Sequence, residues 1–233
     1  MPGAVADFLP VADLRLLDTV RLIPSRYSVP DISVLARIAP DDATLAVIFD
    51  LDNATNDRLA AEANLLPGIG IDELVFGIPH HRIINAAFSH AHPQGARFNG
   101  PDRGVWYAGL TRDTALAEVI FHKTVALAEV NWFQDDITCD PYLADLASGF
   151  HDLRGSTGHA ACLDPGSYLA SQALAAGLLA DGSSGILYPS VRHPGGTCIA
   201  CFRPAIVAHV RKGRTLRLRW TGTPVPEVSD AAA

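Results

Sequence analysis

Apolar and polar positions change their period several times along the chain, and each change marks an element. Over residues 41–66, DDATLAVIFDLDNATNDRLAAEANLL, helix-favouring Ala and Leu recur, Asp stands at the starts, and Pro67 with Gly68 supplies a stop. That pattern predicts a helical N-terminal layer. Across 79–104 the periodicity dissolves into PHHRIINAAFSHAHPQGARFNGPDRG, whose Gly, Pro and Asn content predicts a loop-rich stretch suited to close backbone approach to a ligand. GVWYAG then reads as a short buried strand, followed at once by TRDTALAEVIFHKTVALAEV as a helix capped by Thr111 or Asp113. Downstream, SYLASQALAAGLLADG predicts a helix closed by Gly182, while GILYPS, TCIACFRP and TLRLRW predict strands. The C-terminal TGTPVPEVSDAAA has no apolar period, so a flexible tail over 222–233 is expected. The elements together describe an α+β or mixed fold in which helices interrupt a mainly β core.

Composition narrows the classes of function. With 233 residues, 48% of them hydrophobic, the chain has enough apolar surface for one compact domain of enzyme size. A formal net charge of -7 disfavours a broad grip on a phosphate backbone, so nucleic acid is not an expected direct partner. The opening MPGAVADFLPVADLRLLDTVRL lacks a basic region followed by a long apolar core, and no apolar run of about 18 residues follows it. A cytoplasmic protein with no membrane association is therefore expected. Four cysteines are too few for a disulfide scaffold at this length and read as core thiols.

Two segments carry candidate chemistry. In the first, Arg97-Phe-Asn99-Gly is followed by Val-Trp-Tyr107-Ala-Gly and then by Ala-Leu-Ala-Glu118-Val. Glu118 stands among apolar neighbours on a helix, where an ionised carboxylate must be paired or face a cavity. The residues leave two readings open: catalysis, or an ion pair with Arg97 or Arg103 that ties helix to loop. In the second, a buried strand runs into Pro-Ser190-Val-Arg192-His193-Pro-Gly-Gly. The backbone N–H groups of such a turn, a Ser hydroxyl and an Arg fork suit phosphate oxygens, and equally suit an ordinary strand connection. Cys198-Ile-Ala-Cys201 lies in a predicted strand, where residues three apart point to opposite faces, so it reads as packing rather than as half a zinc site. His80-His81, His90-Ser-His92 and the Glu118/His122 pair form no recognisable ligand pattern, and no metal is expected. No G-x-G-x-x-G, G-x-x-x-x-G-K-[ST] or G-x-S-x-G is present, which disfavours doubly wound nucleotide folds and nucleophile-elbow hydrolases.

Between about Arg82 and Pro204 these motifs resemble the RES domain, a family named for its Arg, Glu and Ser that includes toxins of bacterial toxin–antitoxin pairs. RFNG supplies Arg97, VWYAG supplies Tyr107, TALAEVIFH supplies Glu118 and LYPSVRHPGG supplies Ser190; TVRLIPSRY resembles the family's N-terminal strand. The resemblance implies an ADP-ribosyltransferase-like fold, with a split mixed β core, flanking helices and a helical N-terminal extension. It divides the chain into an N-terminal part over 1–78, a catalytic core over 79–221 and the tail.

The resemblance also implies an activity: cleavage of the nicotinamide–ribose bond of NAD⁺ by phosphorolysis or hydrolysis. NAD⁺ is then the substrate, inorganic phosphate a co-substrate of the phosphorolytic route, and no cofactor is needed. A protein ADP-ribosyltransferase is the alternative, and a non-catalytic NAD⁺-binding module the second alternative. The implied partner is an Xre-like helix-turn-helix antitoxin, with homo-oligomerisation left open. The chemistry suits the four residues: Glu118 beside the sugar stabilises an oxocarbenium-like state, Arg97 clamps pyrophosphate, Ser190 contacts phosphate or ribose, and Tyr107 offers a ring to nicotinamide. Arg26 and Tyr27 are second candidates for phosphate and ring contact, and Asn99, Arg192 and His193 third ones.

Overall fold

The computed structural model describes residues 9–28 and 68–231; the helix expected over 41–66 lies outside them. Its strands are β1 (Val11–Pro24), β2 (Trp106–Gly109), β3 (Gln134–Asp152), β4 (Gly185–Pro189), β5 (Thr197–Cys201), β6 (Val207–Lys212), β7 (Leu216–Thr221) and β8 (Glu227–Asp230). The helices are α1 (His81–Ser89), α2 (Arg112–Glu129) and α3 (Leu169–Ala180). The fold is α+β, as its sequence pattern predicts.

The strands form one mixed sheet in the order β1-β2-β5-β4-β3-β7-β8, with β6 also on β3. Because β1 pairs with both β2 and β3, the sheet curls back on itself. Only β3 and β4 run parallel among the described pairs. Side chains obey the two-residue strand period, and that period builds two apolar layers. Trp106 and Ala108 of β2, Leu187 of β4, and Ile199 and Cys201 of β5 enter a layer covered by α1. Ile186, Tyr188, Cys198 and Ala200 point the other way, toward α3 and Phe98. Cys198 and Cys201 thus face opposite layers, and all four cysteines are buried free thiols. A third cluster joins α2 to β1 and β7 through Val20, Ala115, Leu127 and Trp220.

Local rules set the ends of the helices. Thr111, in extended conformation, accepts a hydrogen bond from the Thr114 N–H, so Thr111 and not Asp113 caps α2. At the far end Asn131 adopts φ +50 and its N–H returns to Ala128, the left-handed stop that Asn tolerates. Gly182 closes α3 in the same way at φ +82, with its N–H on Leu179 O.

Four stretches differ from the sequence expectation. The stretch expected as loop over 79–104 contains α1, because Ile83, Ile84, Ala87 and Phe88 recur at helical spacing and bury against the sheet. The expected tail contains β8, whose side chains are exposed but whose backbone pairs with Leu216–Arg219. The pattern gives no sign of β6, or of β3, the 19-residue strand that pairs with β1, β4, β6 and β7. Among the described helices none is long and apolar enough to cross a membrane.

Candidate active site

The outer end of β4 delivers Ser190, and the second turn of α2 delivers Glu118. The Ser190 hydroxyl donates to Glu118 Oε1 at 2.7 Å, joining residues 72 positions apart. The same oxygen of Ser190 accepts the backbone N–H of Arg192 at 3.1 Å and of His193 at 3.0 Å. One donor and two lone pairs are thereby all engaged, and Ser190 holds the carboxylate. The Cys198 thiol lies 3.8 Å from the same carboxylate oxygen as a second, weaker donor.

The turn that carries Ser190 is locked to the start of α2. The Ser190 N–H donates to Gly196 O, Gly196 N–H donates to His193 O, and His193 Nδ1 meets Thr114 Oγ1 at 2.9 Å. Position 196 must be glycine: a Cβ there would lie 2.6 Å from Thr114 Oγ1 and 2.7 Å from His193 Nδ1. His193 is therefore a brace of the turn.

Tyr107 and Asn99 organise the loop that bears Arg97. The Tyr107 hydroxyl accepts the Phe98 N–H and donates to Asn99 Oδ1, both at 2.8 Å. The Asn99 amide in turn donates to the carbonyls of Gly100 and Arg103. Arg97 is buried; its Nη1 donates to Cys162 O at 3.0 Å and Asp164 O at 2.9 Å, and its guanidinium lies 4.9 Å from the Tyr168 ring centroid. Arg192 spans the other side of the site: Nη2 donates to Pro165 O at 2.8 Å and the guanidinium stacks 3.5 Å from the Phe121 centroid. From Arg192 an open groove of about 630 Å³ runs along Ala117, Phe121 and Val125 of α2. A second cavity, of about 340 Å³, lies between α3 and the far side of Asn99 and is not lined by Glu118 or Ser190.

The thiol and phenols near Glu118 are held in their neutral forms. Burial, reinforced by Glu118, pushes the Cys198 thiol up to about 12. Burial likewise raises the phenols of Tyr107 and Tyr188. Among the described residues Glu118 forms no ion pair, which disposes of the bracing alternative: Arg103 pairs with Glu73 at 2.7 Å, and Arg97 spends Nη1 on carbonyls. A carboxylate held by hydroxyl and thiol donors, with no ion pair among the described residues, has the electrostatics to interact favourably with an added positive charge.

Glu118, Ser190, Arg192 and His193 come together directly, and Tyr107, Asn99 and Arg97 form the adjoining wall. Arg26 and Tyr27 do not join them among the described contacts; they sit in a short 3-10 turn after β1, with the guanidinium over its own neighbour's ring. Sequence reasoning passed over Tyr188 and Arg21. Tyr188 lies two residues before Ser190 and so on the same side of β4, a relation the strand period reveals. Arg21 donates to the Tyr107 carbonyl at 3.2 Å and is drawn down to about 10 by burial, which nothing in its local sequence signals. No group of three or more metal-ligating side chains occurs among the described residues.

Among known families, the family model described as RES domain matches residues 74–221. No curated protein matches the chain.

Proposed function

The chain belongs to the RES domain family, and on that premise we propose that it degrades NAD⁺ by cleaving the nicotinamide–ribose bond, through hydrolysis or phosphorolysis, as the toxin of a toxin–antitoxin pair. The observation that carries the reading is the Glu118–Ser190 hydrogen bond, which clamps a carboxylate that forms no ion pair among the described residues. As nicotinamide leaves, positive charge develops on the ribose, and a fixed carboxylate stabilises that charge more than it stabilises the substrate. Arg192 lines the groove along α2 and offers donors to the pyrophosphate, while buried Arg97 ties the 97–99 loop to the carbonyls of Cys162 and Asp164. Tyr107 acts by fixing the 97–99 loop, since its hydroxyl is committed to Phe98 and Asn99.

Purified protein and Glu118→Gln are compared for NAD⁺ loss by chromatography, with and without phosphate. Gln retains an acceptor for the Ser190 hydroxyl and removes only the charge. The expected outcome is loss of NAD⁺ with the native protein and a rate lower by about 10²–10³-fold in the variant. Native protein that leaves NAD⁺ intact in every buffer refutes the proposal, and label transferred from NAD⁺ to protein replaces it with ADP-ribosylation.

A further inference from the structure

His122 stands one helical turn beyond Glu118, which puts both side chains on one face of α2. Its ring meets Phe121 edge-on at 5.4 Å, and Phe121 is the ring on which Arg192 stacks. The charges that act on the imidazole come from three segments: Glu118 from α2, Arg192 from the 190–196 turn and Arg97 from the 97–99 loop. The ring remains open to solvent, and among the described residues no hydrogen bond engages either nitrogen. An imidazole is thus held beside the carboxylate with its proton-accepting atom free.

Hydrolysis has a requirement that phosphorolysis lacks. The C1′–N bond breaks and its electron pair leaves with neutral nicotinamide; a water oxygen bonds to C1′ and must shed a proton. If Glu118 took that proton, it would lose the charge that faces the ribosyl cation. Phosphate dianion attacks through an oxygen that carries no proton and needs no base.

We propose that His122 is the base that takes the proton of the attacking water, and so sets how the site divides between hydrolysis and phosphorolysis. This rests on the NAD⁺ reading above. The state of the ring fits the task. Although its edge reaches solvent, partial desolvation by the surrounding protein draws the imidazole down from the ordinary 6.5, Glu118 opposes that shift, and Arg192 and Arg97 reinforce it. The imidazole is accordingly neutral at pH 7, ready to accept a proton.

The test compares wild type with His122→Gln at pH 7, separating ADP-ribose from ADP-ribose-1″-phosphate in buffers with and without phosphate. The exposed position leaves the core intact, which a thermal melt checks. In the variant, ADP-ribose formation is expected to fall on the order of 10²-fold while phosphorolysis stays near the wild-type rate. The acidic limb of the hydrolytic pH profile, below about 6.5 in wild type, is expected to vanish with the imidazole. An unchanged product ratio or an unchanged limb overturns the base role alone. Wild type that never forms ADP-ribose also overturns it, and wild type that leaves NAD⁺ intact overturns the dinucleotide reading with it.

Discussion

Ser190→Ala separates holding the carboxylate from having one. The change deletes the donation to Glu118 Oε1 at 2.7 Å and frees two backbone N–H groups, those of Arg192 and His193. A hydrogen bond to a charged partner is worth about 1.5–3 kcal/mol. Both partners and the two residues that carry the freed N–H groups are only half-buried, so the loss of stability belongs at the lower end, about 1.5 kcal/mol. If the whole bond serves to orient the carboxylate at the transition state, the same range corresponds to roughly a 10- to 150-fold drop in kcat. The assay is NAD⁺ turnover for Ser190→Ala, Glu118→Gln and the double variant. Because the hydroxyl acts through the carboxylate, the double variant should be no slower than Glu118→Gln alone. Turnover by Ser190→Ala within about twofold of wild type, or losses that add in the double variant, would refute the reasoning.

Three further outcomes follow from the same contacts. Tyr107→Phe leaves the buried Phe98 N–H and Asn99 carbonyl without a partner, at about 1–3 kcal/mol of stability, and loosens the Arg97 loop. Its KM for NAD⁺ should rise more than its kcat falls, and an unchanged KM counts against that wall. Gly196→Ala puts a Cβ 2.6 Å from Thr114 Oγ1 and so pries the 190–196 turn off α2. Turnover should drop by about tenfold or more with the circular dichroism spectrum retained. The Arg103 hydrogen bond, working against partial burial, lowers the Glu73 carboxyl below its ordinary 4.5. A depressed folded-state value stabilises the fold above pH 4.5, and that contribution is lost as pH falls through the folded value. Glu73→Gln should therefore melt well below wild type at pH 7 and approach it as pH falls below the folded-state value; a gap independent of pH would show that the charge is not what matters.

Local physics accounts for the elements that could be read directly. A Thr cap, an Ala-rich run and a left-handed Asn suffice for α2, and short apolar runs ending in Pro or Gly suffice for β4 and β5. α1 was hidden because nine residues between Pro79 and Gly95 carry barely two turns of period, set among His and Ser. β3 was hidden for a different reason. It contains Asp136, Asp140, Pro141 and Asp145, which argue against a strand until partners are supplied. Arg217 meets Asp136, Lys212 and Thr215 meet Asp140, and His209 and Arg211 meet Asp145, all from β6, β7 and the turn between them, more than sixty residues onward.

The candidate site divides along the same line. Glu118 could be singled out because a carboxylate among apolar helical neighbours costs free energy wherever it sits, and Ser190 because a buried strand ending in a Gly-rich turn exposes polar backbone. Their residue types and order, and hence the family, are properties of the chain alone. Whether Glu118 pairs with an arginine or stays free is not, since it depends on where Arg103 finds Glu73 and where Arg97 finds the carbonyls of Cys162 and Asp164. The partners of Ser190 are set in the same way. A hydroxyl has three hydrogen-bonding positions, and only the folded chain, by bringing α2 against the end of β4, assigns them to Glu118, Arg192 and His193.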